Sequence, residues 1–193
     1  IVAKACNQSL VIADMPFHSY DNPKTALVNA KELIDNGAHM VKLEGGVENT
    51  DVINALVSNN IRVCGHLGLQ PQLVVDSSGY KVQGRDEADA KSILDNAKLL
   101  ESIGVSILVL ECIPSNLAKL ITKKLKIPTI GIGAGKDCDG QVLVSYDMLG
   151  ITLGRQPRFV RNFLSSESSI SSAIKAFVSE VKEGSFPNKS ESY

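Results

Sequence analysis

The stretch HMVKLEGG, His39 to Gly46, places a lysine and a glutamate inside a segment that otherwise reads as a buried strand, then follows them with two glycines. Side chains alternate faces along a strand, so Lys42 and Glu44 are predicted to point the same way. Two charges in a low-dielectric interior are costly unless they pair or meet a bound group. The pattern recurs along the chain. Asp14 closes LVIAD, Glu44 closes MVKLE, His66 closes RVCGH and Glu111 closes ILVLE. In parallel β/α folds the C-terminal strand ends converge on one ligand site, so these four ends are predicted to share one.

Working outward, short apolar runs alternate with helical patterns. SLVIADMPF, Ser9 to Phe17, reads as a first, buried strand. A helix follows, with Asp21 or Asn22 as its cap, Pro23 in its first turn and Gly37 just past its end. Ala26, Ala30, Leu33 and Ile34 make its apolar stripe. After AHMVKLEGG come a short helix around Asp51 to Ser58 and a third strand in NIRVCGHLGL. A polar loop, QPQLVVDSSGYKVQGR, leads into the helix DEADAKSILDNAKLLESIG, which has acids in its first turn and ends at Gly104. VSILVLECIP is a fourth strand, Ser115 caps NLAKLITKKLK, and IPTIGIGAG is a fifth strand. GQVLVSYDMLGI reads as a sixth, less regular one. From Ser165 the chain is serine-rich with one helix, SISSAIKAFVSEVKEG. This alternation predicts a parallel sheet covered by helices, either a doubly wound open sheet or a (β/α)8 barrel. GIGAGK has neither the dinucleotide-binding nor the P-loop spacing, so its glycines serve a sharp turn or a close approach of backbone to a ligand.

The 193 residues are 44% apolar with a net charge of −1, enough for one domain with a real core. Near-neutral charge, no tryptophan and 5% aromatics argue against nucleic acid or an anionic membrane as partner. No apolar run approaches the roughly 20 residues that span a bilayer. Cys6, Cys64, Cys112 and Cys138 have no C-x-x-C spacing and read as free thiols in a reducing, cytoplasmic compartment. The chain opens IVAKACNQSLVIAD without an initiator Met, as if cut from the end of a helix, and a portion ahead of it is expected.

Each polar strand end has a structural alternative: a loop-capping Asp14, a structural Lys42–Glu44 ion pair, a hydrogen-bonded core His66. Glu111 has no basic residue near it in sequence to neutralise it. Taken together the set supports chemistry. Hard oxygen donors with only three histidines in the chain suit Mg2+ over Zn2+. Such an ion chelates a 2-oxo acid, with Lys42 on the substrate carboxylate, and acidifies the neighbouring C–H. A partly desolvated glutamate is then the base.

ADMPF, VKLEGG, CGHLGL, SGYKVQGR, LVLECIP, IGIGAGKDCDGQVLV and RFVRNF, in this order, resemble the ketopantoate hydroxymethyltransferase family over nearly the whole chain. The resemblance implies a (β/α)8 TIM barrel of the phosphoenolpyruvate-mutase-like type. It implies transfer of a one-carbon unit from 5,10-methylenetetrahydrofolate to 3-methyl-2-oxobutanoate, giving 2-dehydropantoate for pantothenate and coenzyme A synthesis. Asp14 and Glu44 would be Mg2+ ligands, Asp14 and Lys42 substrate contacts, and Glu111 the proton acceptor. His66 would stand in the pocket wall, and the QPQLVVDSSGYKVQGR loop on the folate side or at a subunit contact. The family also implies a homodecamer built as a pentamer of dimers.

Two strand–helix units of the family, the second ending in a GDS segment with a further metal ligand and substrate contact, have no counterpart here. Residues 1–193 are therefore expected to be strands three to eight and the C-terminal helices of one barrel domain, part of a longer protein. A barrel of this type has about 250 residues. The competing readings are a Mg-dependent lyase or mutase on a 2-oxo acid enolate, and a non-catalytic structural paralogue. RVCGH within a strand disfavours the first, and carboxylates held inside disfavour the second.

Overall fold

The computed structural model describes residues 1–74, 81–154 and 156–193. Six strands form one sheet in chain order: β1 (Ile12–Asp14), β2 (Met40–Lys42), β3 (Val63–Gly68), β4 (Ile107–Glu111), β5 (Thr129–Ile132) and β6 (Gly140–Gln141). Every neighbouring pair is parallel. The helices are α1 (Val2–Ala5), α2 (Pro23–Asp35), α3 (Thr50–Ser58), α4 (Glu87–Ser102), α5 (Ser115–Lys124), α6 (Ser145–Met148) and α7 (Ile170–Glu183). Ile12 of β1 and Ile130 of β5 line the same cavity although they stand near opposite ends of the strand order, so the sheet curls.

Both faces of the central strands are buried, which is why they read as near-continuous apolar runs. Val41, Val63, Leu108 and Leu110 point outward and join one core with Ala26, Ala30, Ile53, Leu56, Ala97, Leu100, Ala118 and Ile121 of the helices. The fully buried alanines of α2, α4 and α5 let those helices lie close to the sheet. Met40, Cys64, Val109 and Ile132 point inward and join a second core with Phe159, Phe163 and Phe186. Phe163, Phe177 and Phe186 meet edge to face, with centroids 5.3–5.7 Å apart. Arg161 stacks over two of these rings and holds Glu191 through paired contacts of 2.7 Å, with a further ion pair to Glu180. The C-terminal segment is thereby locked onto the aromatic cluster.

The helix boundaries follow their capping residues. Asn22, rather than Asp21, caps α2 by accepting from the Thr25 amide at 3.0 Å. Asp86 does the same for Asp89 in α4 at 2.9 Å. Ser169 and Ser172 bond reciprocally at the start of α7, and Gly184 ends that helix in the left-handed region.

Three expectations change, and one is borne out in part. The first strand is shorter than Ser9 to Phe17 and is not buried: Ile12 and Asp14 are exposed, because among the described residues β1 has a neighbour on one side only. The sixth strand contracts to two residues, and α6 occupies part of GQVLVSYDMLGI, with Met148 buried from that helix and Leu143 from the irregular backbone before it rather than from alternating strand positions. Ser115 is not a cap. Pro114 takes the cap position, and the Ser115 amide donates to the Tyr193 carbonyl at 2.9 Å. Finally, Gly133 and Gly135 of the IGIGAG run serve turns and packing. Both have positive φ, and a Cβ there would lie 2.6 Å from the Phe159 ring and 2.5 Å from Ser115 Cβ respectively.

Candidate active site

The inward face of β1–β5 opens into a cavity of about 510 Å³ lined by Asp14, Lys42, Glu44, His66, Gln72 and Glu111 among apolar side chains. Lys42 and Glu44 therefore do share a face. Asp14 and Glu111 end their strands, as the pattern in the sequence predicts. Glu44 stands two residues past β2 and His66 lies inside β3. The β2 chain still runs beside β3 at this level, with the Gly45 amide donating to the His66 carbonyl at 3.1 Å.

The charged groups form a connected series. Asp14 and Lys42 are register partners on β1 and β2, and their side chains make an ion pair. Lys42 Nζ lies 3.3 Å from His66 Nδ1. Glu44 Oε1 lies 3.7 Å from the same nitrogen, and Glu111 Oε2 lies 3.0 Å from His66 Nε2. The Nε2–Glu111 approach is off the line of an aligned hydrogen bond, which leaves a close polar contact rather than a formed bond. His66, Glu44 and Glu111 are 3%, 5% and 9% exposed, so these contacts act in a desolvated setting. Asp14 is far more open, with 61% of its side chain exposed.

Burial pushes the Glu44 carboxyl above the usual carboxylate range, opposed by His66, by the Gln72 amide and by Lys42. Gln72 holds the rim together. Its amide donates to Glu44 Oε2 at 3.1 Å, its side-chain nitrogen donates to the Met15 carbonyl at 3.0 Å, and its side-chain oxygen accepts from Tyr20 at 2.6 Å. Nothing in the sequence singles out this glutamine except its place just past the third strand. Of the loop QPQLVVDSSGYKVQGR, residues 75–80 lie outside the described residues; Pro71 and Gln72 line the cavity.

All four cysteines are free, and burial pushes the Cys64 and Cys112 thiols up to about 12. Burial thus favours the neutral thiol at both positions. Cys112 also holds a left-handed backbone (φ 49°) directly after Glu111. Its amide donates to the Ile132 carbonyl and its carbonyl accepts from the Gln83 amide, both at 2.9 Å, so the corner that aims Glu111 is tied on two sides.

Asp14 and Glu44 offer oxygen donors only, the set a hard cation takes. Glu44 is a buried carboxylate that receives one hydrogen bond among the described residues, and a cation would offset its desolvation. Among the described residues no three His, Cys, Asp or Glu gather closely enough to hold a metal unaided. The pair thus fits Mg2+ as a partial set, the remaining positions falling to water and substrate oxygens. No helix among the described residues is long and apolar enough to cross a membrane.

Solved structures with this fold include a phosphonomutase-like protein of Burkholderia cenocepacia (TM-score 0.50, 14% identity, 65% of this chain and 56% of that one). The carboxyl transferase domain of Rhizobium etli pyruvate carboxylase is another (TM-score 0.53, 14% identity, 92% and 32%). At such identity the likeness speaks for the fold alone, a curled parallel α/β sheet of the TIM-barrel type. Sequence relatives are much nearer. The chain is 54% identical over 192 residues to the 3-methyl-2-oxobutanoate hydroxymethyltransferase of Ruthia magnifica, covering 100% of this chain and 74% of that protein. It is 55% identical to the enzyme of the same name from Vesicomyosocius okutanii, with the same coverage, and 51% identical to that of Shewanella denitrificans over 97% and 71%. The family model for ketopantoate hydroxymethyltransferase matches residues 1–189, and the chain belongs to that family of transferases.

Proposed function

We propose that this chain carries the active site of a 3-methyl-2-oxobutanoate hydroxymethyltransferase, which transfers a one-carbon unit from 5,10-methylenetetrahydrofolate to give 2-dehydropantoate in pantothenate synthesis. One observation carries the reading beyond family membership: Asp14 at the end of β1, Lys42 and Glu44 at the end of β2 and just past it, and Glu111 at the end of β4 line a single cavity sized for a small acid. On this reading the six strands are the third to eighth of a (β/α)8 barrel, and the enzyme works in the cytoplasm as a homodecamer.

Lys42 binds the substrate carboxylate, exchanging its pairing with Asp14 for the new anion. Asp14 and Glu44 would hold Mg2+, and Asp14 would also touch the substrate. When bound, the ion supplies positive charge at the ketone oxygen, which lowers the cost of removing the C3 proton. Glu111 removes that proton: the C3–H bond breaks, the proton goes to the carboxylate, and the electron pair enters the C2–C3 bond as the ketone oxygen becomes anionic. Burial of Glu111 in the cavity wall keeps water from competing for the base. C3 then bonds to the methylene carbon of the folate as the enolate oxygen returns to a ketone; both bonds from that carbon to nitrogen break, water supplies the hydroxyl, and water's second hydrogen and the C3 proton end on the two nitrogens of tetrahydrofolate.

Hydrogen–deuterium exchange at C3 of 3-methyl-2-oxobutanoate, followed by NMR in D2O with Mg2+, tests this directly. Exchange is expected to fall by about 10³-fold in Glu111→Gln with the fold retained, within the range for a general base. Absence of exchange in the well-folded wild type would refute the reading. Dependence of product formation on methylenetetrahydrofolate separates the transferase from a lyase or mutase.

A further inference from the structure

We infer that His66 is a positioning residue for Glu111, held by Lys42 as the tautomer that carries its proton on Nε2. This role rests on Glu111 serving as the base. His66 Nδ1 has two charged neighbours, Lys42 Nζ at 3.3 Å and Glu44 Oε1 at 3.7 Å. An ammonium can only donate, and it is the nearer, so Nδ1 presents its lone pair. The single ring proton then sits on Nε2, which faces Glu111 Oε2 at 3.0 Å. The opposite tautomer would set two acceptors against each other at Glu111 and two donors against each other at Lys42. Lys42 and Glu111 therefore select the same tautomer.

The ring is well placed to act. It is 3% exposed and stands on β3 in register with Val109 of β4, inside the continuous part of the sheet. Nε2 is a buried nitrogen with no aligned partner, aimed at the carboxylate. Catalytic hydrogen bonds are often poorly aligned without substrate and tighten when it binds. Among the described residues no other charged side chain comes this close to the Glu111 carboxylate, so His66 is the group placed to set which way it faces. Once that contact aligns, Oε1 is the oxygen left to receive the C3 proton. The chain Lys42–His66–Glu111 thus links the group that takes the substrate's charge to the group that takes its proton.

Two measurements test this, one of them independent of activity. The chain has three histidines, so nitrogen-15 NMR of labelled imidazoles is readily assigned by the signal missing in His66→Gln. The wild type is expected to show a protonated Nε2 and a bare Nδ1. In Lys42→Met the proton should move to Nδ1, whose remaining charged neighbour is Glu44. A protonated Nδ1 in the wild type would overturn the assignment. The second measurement is C3 exchange together with the dissociation constant of the oxo acid. His66→Gln keeps an N–H near the Nε2 position and should retain exchange within about tenfold. His66→Asn reaches only the Nδ1 position and should lose about 100-fold, the scale of a misaligned reacting group, with binding nearly unchanged. Equal losses in both variants that track their melting temperatures would reduce His66 to a structural role and overturn the proposal. Wild-type exchange in His66→Asn would overturn positioning alone. An Nε2–H tautomer in a wild type that shows no exchange would overturn the base role of Glu111, and positioning with it.

Discussion

Replacing Glu44 with Gln is expected to stabilise the metal-free protein while removing its response to Mg2+. Glu44 is 5% exposed, and among the described residues its carboxylate receives one hydrogen bond, from the Gln72 amide at 3.1 Å. Burial raises its carboxyl above the usual range, with His66, that amide and Lys42 offsetting only part of the effect. Since the folded state then holds its proton to a higher pH than the unfolded chain, stability falls as pH rises through that window. Above that window the penalty is in full force. An amide of the same shape lifts it, keeps an acceptor for the Gln72 amide, and offers a donor toward His66 Nδ1. The relief should be about 1–2 kcal/mol, the scale of an incompletely satisfied buried polar group. For a chain of this size that is a rise of about 2–8 °C in melting temperature. Thermal unfolding by circular dichroism in chelator, at neutral pH and again near the ordinary carboxylate range, measures it. The gain should shrink at the lower pH, where wild-type Glu44 takes up its own proton. Added Mg2+ should raise the wild-type midpoint by mass action and leave the variant unmoved. A variant that melts below the wild type at neutral pH would refute the reasoning, since Glu44 would then be a net stabilising partner of His66 and Lys42.

Other perturbations are equally specific. Gly68 has φ 93° and faces the Glu111 carbonyl oxygen so closely that a Cβ would collide with it; Gly68→Ala should therefore cost about 1–3 kcal/mol and lower C3 exchange, read by melting and by NMR. Arg161→Leu removes the two-point grip on Glu191 and the stacking over Phe163 and Phe186, and should release the C-terminal segment to limited proteolysis with a loss of about 1–3 kcal/mol. Leu110→Ala, fully buried between the sheet and its helices, should cost about 2–5 kcal/mol in a urea titration without altering the affinity for the oxo acid.

Much of the site could be read before folding because charge is unusual where it stands. Lys42, Glu44 and Glu111 interrupt runs that packing alone would have filled with Val or Leu, and the strand period sends Lys42 and Glu44 to one face. Local chemistry likewise announced α2 through Asn22 and Pro23, and α4 through the acids of its first turn. What stayed hidden depends on partners distant in sequence. Ser115 looks like a cap until Tyr193 supplies its partner. Gln72 carries no local mark, since its three hydrogen bonds reach Met15, Tyr20 and Glu44. The tautomer of His66 depends on side chains from the strands on either side of it. For β1, apolar composition said buried, while among the described residues it has a neighbour on one side only and stays exposed.

The strand order has a consequence for synthesis. Each strand pairs with the one made just before it, so the sheet can grow in the direction the ribosome delivers the chain. The site follows the same timetable. Asp14 emerges first, and Lys42 joins it on the very next strand. His66 then arrives opposite a lysine that can orient it, and Glu111 comes last, meeting an imidazole already in place. In translation order Lys42, His66 and Glu111 thus each meet a charged or polar neighbour made before them, and Glu111 completes the series.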